Sequence, residues 1–236
     1  MNGLDLYAKV EEYLDFSEEV RQLHKYFLIE LLEKDINSCL DIGYGQGELL
    51  EIFALNGISG IGIDLSEKQI EFAKLRGVDA RCIDLCNIDE KFPCATATFD
   101  VINYIPNNEL TKFLTCAYNA LEDNGYFIFD INSSFGFEEV AVGTLSIDND
   151  DNFINIDANF EENILITDIT LFTKKKNDTY KKEQSFIKQY FYSEEYLNNM
   201  LKEIGFTIEK VDQFNLHSDE EADKLIFTCI KKIFIF

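Results

Sequence analysis

The sequence predicts an α/β fold: a mostly parallel sheet covered by helices on both faces, with a small antiparallel β insert placed before the chain's end. Three observations lead there. Short apolar runs alternate with helical segments over residues 36–132, period-two patterning replaces that rhythm over roughly 150–192, and a helix with two further strands closes the chain. At 236 residues, 46% hydrophobic and 14% aromatic, with no long polar or Pro-rich linker, the chain can bury one sizeable core. The expected organisation is a single domain in four parts: an N-terminal helical cap (1–35), a core (36–132), a β insert (133–192) and a closing helix with two strands (193–236).

The elements follow in order. VEEYL and VRQLHKYFLIELLEK repeat apolar residues at three- and four-residue steps and read as helix until Asp35-Ile36-Asn37 breaks the pattern. SCLDI (38–42) is a strand, Gln46 to Asn56 a helix stopped by Gly57, and SGIGID (59–64) a second strand. Ser66 opens a helix through a capping box completed by Gln69, and Gly77 closes it. ARCID (80–84), FDVIN (99–103) and GYFIFDIN (125–132) supply three more strands, with a helix from Glu109 to Leu121 before the last. Strands near 153–160, 164–174 and 180–192 then form an antiparallel meander, turning at Glu161-Glu162-Asn163 and Asn177-Asp178. SEEYLNNMLKEIGF is a helix capped by Ser193 and stopped by Gly205, and FTIEKVDQF and KLIFTCIKKIFIF are the closing strands.

Charge and cysteine content narrow the function. Forty-four Asp and Glu against 21 Lys and Arg give a formal net charge of −23, which opposes binding to nucleic acid and to anionic membrane surfaces. No stretch approaches the roughly 20 apolar residues of a membrane span, and MNGLDLYAKVEEYLDF lacks the apolar block of a secretion signal, so a cytoplasmic, soluble protein is expected. The six cysteines (Cys39, Cys82, Cys86, Cys94, Cys116, Cys229) form no C-x-x-C pair and read as small buried hydrophobes of a reducing compartment, with no metal site. Asp148-Asn149-Asp150-Asp151 starts like a calcium loop but lacks its sixth-position glycine and twelfth-position glutamate.

The stretch LDIGYGQGEL, residues 40–49, falls at the first strand-to-helix turn, where a parallel sheet brings backbone closest to a cofactor. Its glycines permit positive φ and a close ligand approach that a Cβ would block. Asp64 ends the second strand 21 residues after Gly43, where a carboxylate can accept from both hydroxyls of an adenosine ribose. The run Gly43-Tyr44-Gly45-Gln46-Gly47 places its third glycine one position early for a dinucleotide fingerprint, arguing against NAD. Asp41, just before the turn, would repel a pyrophosphate and suit a cation. Adenosine joined to an ammonium and a sulfonium describes S-adenosylmethionine.

With these residues in view, the chain resembles the class I S-adenosylmethionine-dependent methyltransferases of small-molecule type. LDIGYGQGEL is similar to their first motif, GIGIDLSEKQIEFAK to the second, CIDLCNI to the third, FDVINYI to the fourth and LEDNGYFIFDIN to the fifth, in order over 36–132. The resemblance implies a Rossmann-like seven-stranded, mostly parallel sheet with an antiparallel last strand. It implies that Asp41 and the turn Gly43, Tyr44, Gly45, Gly47 hold the methionine portion, Asp64 the ribose, Leu65 an adenine face, Asp84 and Leu85 the adenine edge and ring, and that Asn103 lies near the transferred methyl. Tyr44 replaces a residue the family usually keeps small, so its ring is expected over the cofactor or in the acceptor pocket. The fourth motif reads as short, which leaves a non-catalytic cofactor-binding protein as one alternative and an NAD-dependent oxidoreductase or epimerase as another. The expected reaction is N- or O-methylation of a small-molecule acceptor by a monomer or homodimer. His24 reads as a helix residue, His217 as a residue that could face the acceptor, and Tyr190 and Tyr192 as acceptor contacts beneath a roof formed by the insert.

Overall fold

The computed structural model describes residues 3–66, 76–77, 79–177, 179–217 and 219–232. The helix expected from Ser66 to Gly77, with its capping box, and the Asn177-Asp178 turn lie wholly or partly outside the described residues. Helices α1 (Gly3–Val10) and α2 (Ser17–Glu33) precede strand β1 (Ser38–Ile42), helix α3 (Glu48–Leu55) and strands β2 (Ser59–Asp64), β3 (Asp79–Cys82) and β4 (Phe92–Ala97). Helix α4 (Asn107–Ala120) leads into β5 (Leu121–Asn132), and four strands follow: β6 (Gly143–Asp148), β7 (Asn152–Glu161), β8 (Ile164–Lys174) and β9 (Tyr180–Tyr190). Helix α5 (Glu194–Ile204) and strands β10 (Phe206–Phe214) and β11 (Lys224–Lys231) complete the order.

The main sheet has seven strands in the order β10-β11-β5-β4-β1-β2-β3. β1 to β5 run parallel, and the last strand, β11, lies antiparallel between β5 and β10. The order reverses between β1 and β4, the switch point at which such sheets open a crevice at their carboxyl ends. Alternation along β5 feeds both faces. Phe127, Phe129 and Ile131 enter a core with Leu110 and Leu114 of α4 and Leu197 and Leu201 of α5, while Ile128 enters the opposite core with Phe27 of α2 and Phe53 of α3. Phe129 stacks on Phe227 of β11 with ring centroids 4.9 Å apart.

The fourth parallel strand is a correction to the sequence reading. It is FPCATA (92–97), and FDVIN is no strand: Phe99 and Asp100 have φ of 57° and 54°, and Val101–Tyr104 is a 3-10 turn. The Asp130 carboxylate causes this, accepting the amide N–H groups of Phe99 at 2.7 Å and Asp100 at 3.0 Å and so pulling the chain out of the sheet. FPCATA hides its strand character because Pro93 sits at a register irregularity and residues 94–97 are small and buried between neighbours. With β4 ending at Ala97, residues 98–106 connect it to α4 and the fourth motif is no longer short.

The insert is a four-stranded antiparallel sheet, β6-β7-β8-β9, one strand more than expected. The missed edge strand, β6, is largely exposed and therefore carries little apolar signal. The hairpin turn between β7 and β8 at Glu162-Asn163 has φ of 52° and 63°, as a two-residue antiparallel turn requires. Helix α1 covers one face of this sheet, where Leu6 and Val10 cluster with Ile154, Ile169, Leu171 and Ile187. Contact is so close that a Cβ on Gly3 would stand 2.1 Å from the Phe186 carbonyl oxygen, which explains a glycine in this helix.

Candidate functional site

The carboxyl ends of β1, β2, β4 and β5 converge under α1 and the insert. β1 delivers Asp41, 1% exposed, whose Oδ1 accepts a hydrogen bond from Thr96 Oγ1 of β4 at 2.8 Å across the strand register. Its other oxygen, Oδ2, is buried with no partner among the described residues. Burial pushes the Asp41 carboxyl up to about 7; the Thr96 hydrogen bond opposes that rise and the nearby Asp64 adds to it. A buried carboxylate left half satisfied is costly unless something cationic or donating completes it.

The turn above it is built on left-handed backbone. Gly43, Gly45 and Gly47 have φ of 71°, 53° and 82°. A Cβ on Gly43 would meet Val101 Cγ2 at 2.7 Å, whereas one on Gly45 would meet nothing within 4 Å. The turn is thus closed toward the core and open on its outer side. Tyr44, by contrast, is 5% exposed and its ring lies against Gly62 of β2, where a Cβ would stand 2.6 Å from it. The ring belongs to the core shared with α2 and α3, and Asp64 lies near enough to raise the pKa of its hydroxyl after burial.

Asp64 Oδ1 accepts the Ser66 N–H at 2.8 Å, and the N–H groups of Gly45 and Leu65 also reach its carboxylate. Burial raises its pKa against those three hydrogen bonds. Leu65 is 75% exposed and open to a flat apolar ligand. Past β3, the exposed Asp84 caps a 3-10 turn over Leu85–Asn87 through the Cys86 N–H, and Leu85 is buried in the core. Asn103 is fully buried: its Nδ2 donates to the Tyr190 carbonyl at 2.8 Å and its Oδ1 accepts from Asn132 N–H at 3.0 Å. It staples the insert to the core rather than facing open space. Tyr192 is likewise buried in the core, its hydroxyl donating to the Ile105 carbonyl.

A network around Asp100, missed by the sequence reading, ties β11, β5 and the insert together. Lys224, at the start of β11 with a side chain 2% exposed, donates from Nζ to Asp100 Oδ1, to Asp130 Oδ2 at 2.8 Å and to Asn132 Oδ1 at 3.0 Å. Burial lowers the Lys224 pKa, but Asp100 and Asp130 outweigh it and raise the value above that of an ordinary lysine. Gln189 of the insert donates to Asp100 Oδ2 at 2.6 Å. From α1, the Tyr7 hydroxyl feels burial first, then the charges of Glu11 and Asp100, all raising its pKa, with Lys224 opposing. Gln46 of the glycine turn reaches Glu11 at 3.3 Å, and Ser66 Oγ reaches Asp5 at 3.4 Å, so the N-terminal segment spans the site. One signal was available: an aspartate at the end of the apolar run GYFIFD demands a buried partner.

The histidines lie elsewhere. His24 is buried in α2 with its ring edge against Phe99, and burial lowers its pKa to about 4. His217 lines an open cleft of about 780 Å³ together with Glu138, Glu139, Glu220 and Glu221, and none of the glycine-turn residues borders it. Among the described residues no group of three or more His, Cys, Asp or Glu could hold a metal ion, and no helix is long and apolar enough to cross a membrane. Three of the six cysteines are not the isolated buried hydrophobes expected: Cys86 and Cys116 form a disulfide, and Cys82 is free and exposed.

Comparison with known proteins follows the same lines. A family model described as a methyltransferase domain matches residues 11–211. The protein YqeM of Bacillus subtilis (strain 168) is 26% identical over 239 residues, covering 95% of this chain and 96% of YqeM. Among solved structures, an S-adenosylmethionine-dependent methyltransferase from Clostridium acetobutylicum ATCC 824 superposes with a TM-score of 0.79 at 22% identity, covering 98% of each chain. CalS10 of Micromonospora echinaspora, an amino pentose methyltransferase solved with S-adenosylmethionine bound, gives 0.70 at 15% identity over 92% of each chain.

Proposed function

The chain belongs to the methyltransferase-domain family, and on that premise we propose that it transfers a methyl group from S-adenosylmethionine to nitrogen or oxygen of a small-molecule acceptor. One observation carries the cofactor assignment: Asp41 Oδ2 is buried and unpartnered directly beneath an open glycine turn. The residues present fit the group. Asp41 would take the ammonium of the methionine portion, the outer side of the turn at Gly45 gives it room, Asp64 would accept from the ribose hydroxyls, and Leu65 would cover an adenine face. When bound, the cofactor supplies an electrophilic methyl on a sulfonium, with a neutral thioether as leaving group.

The chain's own residues then have two tasks, alignment and exclusion of water. Alignment falls to the turn after β4. Val101 packs on Gly43 and so couples that turn to the glycine turn, while Asp100 stands beside it with its side chain 14% exposed, between the cofactor turn and the roof strand β9. Lys224 and Gln189 hold the carboxylate still, and a neighbouring ammonium or hydroxyl of an acceptor would find there a fixed acceptor of hydrogen bonds. Exclusion of water falls to α1 and the insert, which α1 links through Leu6 and Val10. No general base is compulsory, because an amine need only arrive unprotonated. An acceptor of the amine class is supported by the amino pentose substrate of CalS10 and by the chain's charge of −23, which attracts cations and opposes nucleic acid.

Mass spectrometry of the purified protein for retained cofactor, followed by calorimetric titration with S-adenosylhomocysteine, tests the assignment. Binding at one site per chain is expected. Saturable NADH binding with no response to S-adenosylhomocysteine would overturn it.

A further inference from the structure

Cys86 and Cys116 join the 3-10 turn at Leu85–Asn87 to helix α4, their Cα atoms 4.9 Å apart, well inside the span a disulfide bridges. The position is unusual within the molecule. The bond closes a stretch between residues 30 positions apart that holds β4, whose Thr96 bonds Asp41, and the Phe99–Tyr104 segment that carries Asp100. One end of the bond is open to solvent: Cys86 is exposed, whereas Cys116 is half-buried against the α4 face of the core. The other free cysteines are unlike this pair, since Cys39, Cys94 and Cys229 are buried and Cys82, on β3, is exposed but unpaired.

We infer that Cys86–Cys116 is a thiol-exchange site for low-molecular-weight thiols and their disulfides, and that its state sets the order of the adenine end of the cofactor site. This rests on the cofactor assignment above. The turn is held by burial of Leu85, by the Asp84 cap on Cys86 N–H, by the backbone hydrogen bonds of Asn87 N–H to Asp84 and Ile88 N–H to Leu85, and by the bond to α4. A thiolate attacks the accessible Cys86 sulfur, forming a mixed disulfide there while Cys116 leaves as thiolate and takes a proton. A second thiol then attacks the mixed disulfide, so that two protein thiols and one small disulfide result and two electrons have entered the protein. Opening the bond restores the freedom of the closed stretch and leaves the turn on its local hydrogen bonds and the burial of Leu85, without its covalent tie to α4. The oxidised chain therefore presents Asp84 and Leu85 in one arrangement, and the reduced chain presents them more loosely.

Peptide mapping under thiol-blocking conditions should find Cys86 linked to Cys116 after treatment with glutathione disulfide and free after treatment with glutathione. Titration with S-adenosylhomocysteine should show affinity about threefold to tenfold weaker in the reduced form. Cys116→Ser should bind as the reduced protein does under both conditions, while Cys82→Ser should keep the response. Hydrogen exchange over residues 84–88, measured without ligand, should be faster in the reduced form. Failure of the link to form, or equal affinity and equal exchange in the two states, would overturn the inference. If neither state binds S-adenosylhomocysteine, the cofactor assignment fails, and exchange over 84–88 alone decides the fate of the turn: faster on reduction supports the site, unchanged overturns it.

Discussion

Two turns stand side by side on the carboxyl edge of the main sheet, one after β1 and one after β4, and both pass through left-handed backbone. The first reaches φ of 71°, 53° and 82° with glycines, which adopt such angles at little cost. The second reaches 57° and 54° with Phe99 and Asp100, where each residue costs on the order of 1 kcal/mol and must be held by its surroundings. The carboxylates differ in the same sense. Asp41 under the first turn has one oxygen unpartnered, whereas Asp130 under the second receives two backbone N–H groups and the Lys224 ammonium. The glycine turn leaves one carboxylate oxygen without a partner among the described residues, whereas the Asp100 turn has its carboxylates held on both sides. A receiving element and a rigid reference beside it are what an in-line transfer needs.

Breaking the rigid turn should have the largest effect. Lys224→Ala leaves Asp100 and Asp130 facing each other without their shared cation, and a loss of about 3–5 kcal/mol in unfolding free energy is expected by urea titration. A loss below about 1 kcal/mol would show that the network is incidental. The glycine turn should respond differently at its two faces. Gly43→Ala drives a Cβ into Val101 and adds left-handed strain, lowering stability by about 1–3 kcal/mol. Gly45→Ala meets no protein atom, so its stability cost is limited to strain of about 1 kcal/mol, but the added carbon projects into the open side. Its loss of affinity for S-adenosylhomocysteine should exceed its loss of stability, the reverse of Gly43→Ala.

The pH response separates two buried groups with opposite signs. His24, lowered by burial to about 4, contributes stability that is full above its unfolded value near 6.5 and is lost as pH falls from there toward 4. Between pH 7 and pH 5 that loss amounts to roughly 2 kcal/mol, and His24→Gln should remove it from the stability profile. Asp41 acts the other way. Its raised pKa stabilises the ligand-free chain below about 4, and that contribution is lost as pH rises through 7. Asp41→Asn should therefore leave the ligand-free protein at pH 8 as stable as the parent or more so.

The comparison of turns also shows what the sequence could and could not disclose. The glycine turn, Asp64 and the Ser193 and Gly205 helix ends were legible because each depends on residues close in sequence, where glycine, a strand end or a cap has a local meaning. The Asp100 turn depends on Asp130 and Lys224, residues separated from Asp100 by 30 and 124 positions, and no local pattern announces such a meeting. The same distance hid β4: once Asp130 captures two amides from FDVIN, that apolar stretch cannot be strand, and the sheet takes FPCATA instead. The seat of the Tyr44 ring was hidden for a related reason, since only the placement of Gly62 opposite it creates the space its ring fills. The N-terminal segment was readable as helical, but its first helix, read at VEEYL, lies at Gly3–Val10 with only a 3-10 turn at Glu11–Tyr13, and its partner face on the insert was not legible.

The most direct test of the account is a calorimetric titration of S-adenosylhomocysteine into the parent chain and Asp41→Asn at pH 8 and pH 6. The ligand's ammonium should bind the ionised carboxylate, and a group with a pKa of about 7 is ionised in about one molecule in ten at pH 6. The parent should therefore bind about tenfold more weakly at pH 6 than at pH 8. Asp41→Asn should bind more weakly than the parent at pH 8 and show little change between the two conditions. Parent-like affinity in Asp41→Asn, or the same pH dependence in both proteins, would contradict the claim that the unpartnered oxygen of Asp41 receives the cofactor.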